Sequence, residues 1–358
     1  MVKLGLLFKI LGAVLLAGFV GGCTQLIEGA GRELQPLSLQ TVARLNAMGS
    51  SPGAAMMVRI YKESSLLEVW KQVEDGTFKL FKTYPICTFS GELGPKIFEG
   101  DRQSPEGFYT VTRGMMNPRS QLYLSFNIGF PNKFDRAYGR TGSNIMVHGA
   151  CSSRGCYAMT DKQVAEIYAL ARESFNGGNR SFQVQIYPFD MTPENLARFY
   201  DSPNLSYWRN LKTGYDYFEL TKRPPDWDVC NKQYVFDAKP RSGKPLDARA
   251  ACPPLVTNSN ILAQVKARES ADQATFELAV ASIKQSAAQK QMEAERQAAN
   301  QRALKQRGAA LDKTASGFGD AVGGFFSGLF GGGQNAGQTQ PIIYDPNAPI
   351  PAPPLMRN

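Results

Sequence analysis

The stretch from Ile145 to Met159 reads IMVHGACSSRGCYAM and contains His148, the only histidine of the chain, and Cys156. The apolar and β-branched residues before His148 predict a strand. A loop of small residues follows, and Cys156 comes just before a predicted helix. A neutral imidazole can take the proton of a thiol, and a positive environment favours the thiolate. We therefore predict Cys156 as a nucleophile and His148 as its general base.

Three residues of this loop receive supporting roles. Gly155 lets the backbone approach a substrate closely, and the N–H groups of Gly155 and Cys156 are predicted to receive an oxyanion. Arg154 adds a cation beside the nucleophile, and we assign Arg154 and Ser153 to substrate binding. The positive end of the helix that follows also favours the thiolate.

Three other interpretations compete with this one. A zinc site made by His148, Cys151 and Cys156 would need a fourth ligand, and the segment offers none with zinc-like spacing. A Cys151–Cys156 disulfide would consume the nucleophile. Ser153 as the nucleophile would need His148, for which the thiol competes better. We predict a thiol enzyme that needs no metal or organic cofactor.

Outward from this stretch, residues 55–189 read mostly as β structure, with turn-forming residues between short runs of β-branched and aromatic residues. The predicted strands are Met56–Tyr61, Leu66–Val73, Phe78–Cys87, Phe108–Arg113, Gln121–Phe126, Ile145–His148 and Phe182–Tyr187. Regularly spaced short strands of this kind are typical of a sandwich or barrel-like sheet.

Two helices are predicted in and after this series. Thr160 and Gln163 fit a capping box, and the apolar residues that follow them recur on one helical face. A second helix is predicted from Thr192, with Pro193 in the first turn, where its missing N–H costs nothing. Residues 201–254 read as aromatic-rich and irregular, packed against the main domain.

The composition changes abruptly after residue 254. Residues 260–307 are rich in Ala, Gln, Lys, Arg and Glu and lack glycine and proline, which predicts one long helix. Its heptad pattern is weak, so we favour a solvated spacer helix over a dimerisation rod. Residues 308–358 are rich in Gly and Phe and then in Pro, and disorder is predicted there.

The first residues indicate export. A positively charged start precedes a short apolar run, Ile10 to Val20, which fits a signal peptide and is too short for a spanning helix. The residues from Val20 to Cys23 resemble the lipobox of bacterial lipoproteins, which implies cleavage before Cys23 and lipidation of its sulfur. Thr24 after the lipidated cysteine favours the outer membrane. An ordinary signal peptide is the alternative.

The net charge of +9 would suit a nucleic acid, but export removes that partner. We predict no nucleic-acid binding, with lipid head groups and the cell-wall polymer as the anionic surfaces. General solubility explains the charge equally well.

Five cysteines remain besides Cys23, so at least one of them lacks an intrachain partner. An oxidising compartment lets disulfides persist, and Cys230 and Cys252 flank one loop-rich stretch and are candidates for a pair. Cys151 is left either paired with Cys87 or unpaired.

Two motifs carry a family resemblance. The letters HG at residues 148–149 and SRGC at residues 153–156 resemble the active-site signature of the L,D-transpeptidase catalytic domain, the YkuD-type family. The segment from residue 100 to 109, GDRQSPEGFY, is similar to that family's strand and turn before the active site. Within it, Asp101 and Glu106 are predicted to serve the turn rather than catalysis.

The resemblance covers residues 55–190 and implies a mainly β catalytic fold with a helix after the cysteine. It also implies acyl transfer through a Cys156 thioester on the stem peptides of peptidoglycan. His148 would act as general base and then as acid, with the Gly149 carbonyl orienting its ring.

One position departs from the family pattern. Many members carry an arginine two residues after the nucleophile, where this chain has Ala158. Residues 157–161 and 214–218 instead resemble the YafK-like branch, which includes enzymes that hydrolyse the link between lipoprotein and peptidoglycan. Transfer to an amine and hydrolysis both stay open, with wall-linked lipoproteins as partners in the second case. A non-catalytic wall-binding tether is the hypothesis from another class.

The predicted fold class is mainly β within an α+β architecture, a sandwich or sheet with a C-terminal helical extension. The predicted location is the periplasmic side of the bacterial envelope, with a lipid anchor in the membrane. The predicted segments are a signal peptide (1–22), a lipid-anchored linker (23–54), the catalytic domain (55–190), a packed extension (191–254), the long helix (260–307) and the tail (308–358).

Overall fold

The computed structural model describes residues 31–327, with side chains described for residues 31–313. The strands are β1 (Met56–Tyr61), β2 (Leu66–Gln72), β3 (Phe78–Pro85), β4 (Gly107–Thr112), β5 (Met116–Asn117), β6 (Ser125–Asn127), β7 (Met146–His148), β8 (Tyr157–Ala158), β9 (Ser181–Tyr187), β10 (Trp227–Cys230), β11 (Gln233–Phe236), β12 (Ala238–Pro240) and β13 (Leu255–Thr257). The helices are α1 (Leu39–Ala47), α2 (Lys133–Ala137), α3 (Asp161–Asn176), α4 (Pro193–Ala197), α5 (Leu205–Thr221) and α6 (Ser259–Ser327). Of the described residues, 31–285 belong to one compact unit and 286–327 to a second.

A five-stranded sheet with the order β3-β2-β1-β9-β4 lies at the centre of the first unit. Strands β1 and β9 pair in parallel, and the other neighbours pair antiparallel. Every residue of β1 is buried, as expected for a central strand covered on both faces. In β2, buried positions alternate with half-buried ones, so one face of that strand is less covered.

The central sheet separates two apolar cores. Successive residues of β4 point to opposite faces, and accordingly Tyr109 joins one core and Phe108 the other. The first core contains the inner face of α3 and the strands that carry the site. The second contains Trp208 and Leu211 of α5 and the aromatic residues of the β10–β11 hairpin. The central sheet thus packs against the strands that carry the site through the first core.

A second sheet, with the order β5-β6-β7-β8, presents the functional segment. Strand β7 pairs antiparallel with β6 and parallel with β8, and the two pairings place His148 opposite Ser125 and Ala158. Helix α3 begins after β8 with the predicted capping box. The Thr160 hydroxyl accepts from the Gln163 N–H at 3.2 Å, and the Gln163 side chain accepts from the Thr160 N–H at 3.0 Å.

The α+β prediction is confirmed, but strands dominate only within residues 55–190, and helices dominate the rest. The predicted strand Gln121–Phe126 is wrong in its first half. Pairing starts at Ser125, since Tyr123 has a positive φ of 69° that interrupts an extended chain. Residues 39–47 of the predicted linker form helix α1, which is capped by Ser38 and buries Leu45 in the first core.

The predicted irregular stretch 201–254 is also wrong, because it contains α5 and three strands. Helix α6 does not end before Gly308 but continues to Ser327. An isolated exposed glycine costs a helix about 1 kcal/mol and does not by itself end it. The signal peptide, Cys23 and residues 328–358 lie outside the described residues. Over residues 31–327, no helix has both the length and the apolar character needed to cross a membrane.

Candidate active site

His148 lies at the end of β7 and is only 2% exposed. Its Nδ1 is 2.6 Å from the carbonyl oxygen of Gly149. A carbonyl oxygen can only accept, so Nδ1 carries the proton and Nε2 of the neutral ring keeps its lone pair. Burial lowers the pKa of His148 below its ordinary value of 6.5, and the Gly149 carbonyl opposes this shift. The ring is therefore a neutral base at neutral pH.

Gly149 has no room for a side chain. A Cβ at this position would lie 2.5 Å from Asp161 Oδ1 and 3.0 Å from the Leu122 carbonyl. Asp161 also accepts a hydrogen bond from the Ala150 N–H at 2.8 Å, so the carboxylate at the start of α3 holds the turn after the histidine. Packing thus requires glycine at position 149, and the backbone carbonyl of this residue contacts the histidine ring.

Cys156 is the free cysteine of the described residues and is half-buried. It directly precedes β8, whose Tyr157 pairs with Val147, so the register places Cys156 beside Met146, on the same face as His148. The Met146 N–H donates to Sγ at 3.3 Å, and the thiol donates to the Asn144 carbonyl at 3.6 Å. No hydrogen bond joins Cys156 to His148 among residues 31–313. The thiol must leave the Asn144 carbonyl to form a hydrogen bond with His148.

The thiol itself is neutral at rest. Burial raises the pKa of Cys156, while the Met146 N–H and the positive charge of Lys96 lower it. A protonated thiol beside a neutral imidazole can react by transferring its proton as the nucleophile attacks, so the pair need not ionise beforehand.

The N–H groups predicted to receive an oxyanion are already engaged. The Cys156 N–H donates to Ser153 Oγ at 2.9 Å, and the Gly155 N–H donates to Ser90 Oγ at 3.0 Å and to Ser153 Oγ at 3.3 Å. The Ser153 hydroxyl in turn donates to the Cys156 carbonyl at 2.6 Å. Ser153, predicted to bind substrate, therefore shapes the loop that carries Cys156. Arg154 is exposed and has no hydrogen bond among the described residues.

Changing Ser153 to alanine is expected to lower the free energy of unfolding by about 1–3 kcal/mol, because it removes a hydroxyl that both accepts from and donates to the backbone of this loop. Activity should fall on the order of 10²-fold as the thiol loses its position. Ser152→Ala is the matched control, since Ser152 is exposed and has no hydrogen bond among residues 31–313. Equal unfolding midpoints and turnover for the two variants would contradict this role.

A segment far away in the sequence completes the site. Ser104 is fully buried, and its hydroxyl donates to the carbonyls of Gly155 at 3.2 Å and Cys156 at 3.4 Å, while it accepts from the Ser90 N–H. Lys96, 4% exposed, pairs with Asp101. The motif at residues 148–156 gave no signal for Ser90, Ser104 or Lys96.

The two acidic residues of this segment differ in role. Asp101 accepts from the N–H groups of Ile97, Phe98 and Gln103, so it serves the turn as predicted. Glu106 is instead a fully buried hub, and here the turn assignment is wrong. It pairs with Lys62 Nζ at 3.0 Å and accepts from Trp208 Nε1 at 2.8 Å.

Lys62 connects that hub to the site. Its buried ammonium group also donates to the carbonyls of Glu92, Gly94 and Ser104 at 2.6, 3.0 and 3.1 Å. One cation thus holds three points of the segment that contacts the loop of Cys156. Burial lowers the pKa of Lys62, and the Glu106 carboxylate opposes this shift.

Disulfides decide two of the open alternatives. Cys151 is bonded to Cys87, so it neither pairs with Cys156 nor serves as a zinc ligand. Cys230 is bonded to Cys252. Ala158, at the position where an arginine was expected from the family pattern, is fully buried opposite His148 and offers no charge to a substrate.

Several known proteins are similar to this chain. The family model described as the YkuD L,D-transpeptidase catalytic domain matches residues 57–186. Proteins of Escherichia coli strain K12 and Escherichia coli O157:H7, both named "Putative L,D-transpeptidase YafK", are 42% identical over 206 residues, 58% of this chain and 81% of each relative. The solved structure of the helical cell shape determining protein Pgp2 from Campylobacter jejuni is 18% identical, with a TM-score of 0.31, over 53% of this chain and 80% of that chain. Given its identity to the two YafK proteins over most of their length, the chain belongs to the L,D-transpeptidase catalytic domain family, in its YafK-like branch.

Proposed function

We propose that this chain is a cysteine acyltransferase of the bacterial envelope that acts on peptidoglycan stem peptides through a thioester on Cys156. The observation that carries the proposal is the free thiol of Cys156 on the face of His148, whose Nδ1 is held by Gly149 so that Nε2 is the basic nitrogen. The proposed chemistry needs no metal or organic cofactor.

In the first half-reaction, the Cys156 sulfur bonds to a carbonyl carbon of the stem peptide while His148 Nε2 takes the thiol proton. The C–N bond then breaks, and the departing amine takes that proton from His148. In the second half-reaction, an amine attacks the thioester and gives its proton to His148, and the thiol leaves as the proton returns to sulfur. The protein ends in its starting protonation state.

The tetrahedral oxygen needs donors, and the N–H groups of Gly155 and Cys156 are the nearest to the nucleophile. They become available when the charged oxygen replaces the neutral hydroxyl oxygens of Ser153 and Ser90, because an N–H bond to an oxyanion is the stronger one. The two serines would thus occupy the donors in the resting enzyme.

The location is proposed on similar grounds. Two disulfides suit an oxidising compartment, and a cell-wall substrate lies there. The lipobox-like sequence before Cys23 supports a lipid anchor in the outer membrane. Treatment of cells with labelled fatty acid should label the chain at Cys23 and leave a Cys23→Ala variant unlabelled.

The test of the function uses the chain from Thr24 onward, peptidoglycan that carries bound lipoprotein, and a Cys156→Ala control. Released fragments are identified by mass spectrometry. New cross-links or exchanged terminal residues, absent with the variant, are expected of the transferase. Loss of lipoprotein without new bonds would identify a hydrolase, and products made equally by Cys156→Ala would remove Cys156 as the nucleophile. If neither protein forms a product, the non-catalytic wall-binding tether remains as the hypothesis.

A further inference from the structure

A cavity of about 200 Å³ lies between α2, the start of α5 and the turn before β11. Its lining includes the cations Arg140 and Lys232 and the side-chain amides of Asn204 and Gln233, but no carboxylate. A cavity this small suits one chemical group rather than a sugar chain. Its charge favours an anion.

The guanidinium of Arg140 has donors that no other described residue engages. The residue is 8% exposed, and the hydrogen bonding of its guanidinium to residues 31–313 consists of one bond, from Nη1 to Asp135 Oδ1 at 2.8 Å. Phe134, Tyr138 and Tyr207 lie about 5 Å from the guanidinium carbon and cover it by cation–π contact. Rings of this kind do not accept the five N–H groups of an arginine as a carboxylate does. The remaining N–H groups of the guanidinium are therefore free to donate to a ligand in the cavity that Arg140 lines.

Asp135 does not supply that ligand. Its other oxygen, Oδ2, already accepts from the Tyr109 hydroxyl and the Asn132 N–H, each at 3.1 Å. The carboxylate therefore fixes one side of the guanidinium and leaves the other edge free. A planar guanidinium with a free edge is suited to bidentate contact with a second carboxylate.

Asn204 provides an independent sign. It stands at the N-cap of α5, where an asparagine side chain normally accepts from the first turn, yet its backbone is helical and its side chain makes no cap. Its amide has no hydrogen bond among the described residues and lines this cavity together with a neighbouring one. Lys232 reaches the rim, with Nζ 5.6 Å from the Tyr138 ring centre.

The cavity is close to the nucleophile. The neighbouring cavity, about 310 Å³, is lined by Gly94, Phe98 and Gln103 of the segment that supports the Cys156 loop. Along the chain, Arg140 precedes Asn144, whose carbonyl accepts from the Cys156 thiol. Four residues span at most about 14 Å, which a short peptide can bridge.

We propose that Arg140, with Lys232 and Asn204, binds a free carboxylate of the peptide whose carbonyl Cys156 attacks. This inference rests on the proposed function and names the group of the substrate by which the peptide is held. Arg140 supplies the fork that contacts the carboxylate, Lys232 supplies a second charge at the rim, and the Asn204 amide donates from the side shared with the neighbouring cavity.

The test measures binding by calorimetry to the full chain in detergent, carrying Cys156→Ala so that no turnover occurs. The probes are a synthetic stem tetrapeptide with free carboxylates and the same peptide with those carboxylates amidated. The acid is expected to bind at least 10-fold more tightly than the amide. Arg140→Lys, which keeps the charge opposite Asp135 but loses the fork, and Lys232→Gln should each reduce that preference by about 10-fold or more.

Lys244→Gln is the matched control, since Lys244 is exposed and does not line the cavity, and it should leave the preference unchanged. Lys232→Gln keeps the test valid if Arg140→Lys fails to fold. Equal binding of acid and amide, no binding of either, or a preference that survives both variants would overturn the carboxylate site. Cys156-dependent turnover on wall fragments, measured in parallel, reports on the proposed function separately. It can persist when the carboxylate site is refuted.

Discussion

Replacing His148 with glutamine is expected to lower kcat/KM by about 10²–10⁴-fold, the range that a positioned general base contributes. The glutamine amide is also a hydrogen-bond donor, which is the kind of group that the Gly149 carbonyl accepts from. It cannot accept a proton at neutral pH, so the Cys156 thiol loses its base. The loss should appear in kcat and in the rate of alkylation of Cys156 by a thiol-directed reagent.

The pH profile separates this role from a merely structural one. Burial lowers the pKa of His148 below 6.5, so the imidazole is still mostly neutral at pH 6.5. Activity should therefore stay constant as the pH falls to 6.5 and decline at lower pH, where the ring protonates. Burial raises the pKa of Cys156, so the thiol stays protonated through neutral pH and the alkaline limb lies above the thiol's ordinary range. His148→Gln should lose the acid limb. An unchanged acid limb in that variant would show that another group is the base.

Replacing Lys62 with alanine is expected to lower the free energy of unfolding by about 3–5 kcal/mol, because Glu106 then remains buried without its cation. The carbonyls of Glu92, Gly94 and Ser104 lose their donor as well. Ser104 holds the Cys156 loop, so kcat should fall even at temperatures where the variant is fully folded. Denaturant unfolding and steady-state kinetics on the same preparation measure the two effects.

Lys82→Ala is the matched control for this prediction. Lys82 also forms an ion pair, with Glu166 at 2.5 Å, but its side chain is 37% exposed, and exposed pairs contribute about 0–1 kcal/mol. Changing Lys62 to methionine together with Glu106→Gln removes both charges and should recover part of the lost stability. Similar losses for Lys62→Ala and Lys82→Ala would refute the buried hub as a stabilising feature.

Local sequence patterns predicted the elements whose signals are local. The bounds of β1 were predicted without error, and the capping box at Thr160 placed the start of α3 correctly. Helix α5 was missed because Gly214 interrupts the helical sequence pattern and because the apolar residues of this segment are mostly aromatic. The structure explains that glycine: a Cβ there would lie 2.4–2.5 Å from Phe108 and Phe236, so close packing sets the residue. Such a requirement is visible only once the partner residues are known.

The site divides in the same way. His148, Gly149 and Cys156 are near each other in sequence, so a motif could indicate them. Lys62 donates to Ser104, and Ser104 donates to the loop of Cys156. These hydrogen bonds join segments that are far apart in the sequence, so a motif with fixed spacing cannot predict them. Ser153 was identified, but its role was not, because a hydroxyl beside a nucleophile can face either the substrate or its own backbone.

The bond between Cys87 and Cys151 has a further consequence for the chemistry of the nucleophile. Cys151 lies in the same loop as Cys156. If Cys151 were a free thiol, it could form a disulfide with Cys156 on oxidation and so inactivate it. With Cys151 already bonded elsewhere, that reaction has no partner, and the disulfide acts on its neighbour as a protecting group does in synthesis. Closing a loop between residues 64 apart also stabilises the fold by about 4 kcal/mol. Oxidation of this cysteine pair would therefore do two things with one bond: it closes the loop, and it keeps the Cys156 sulfur free for the proposed acyl transfer.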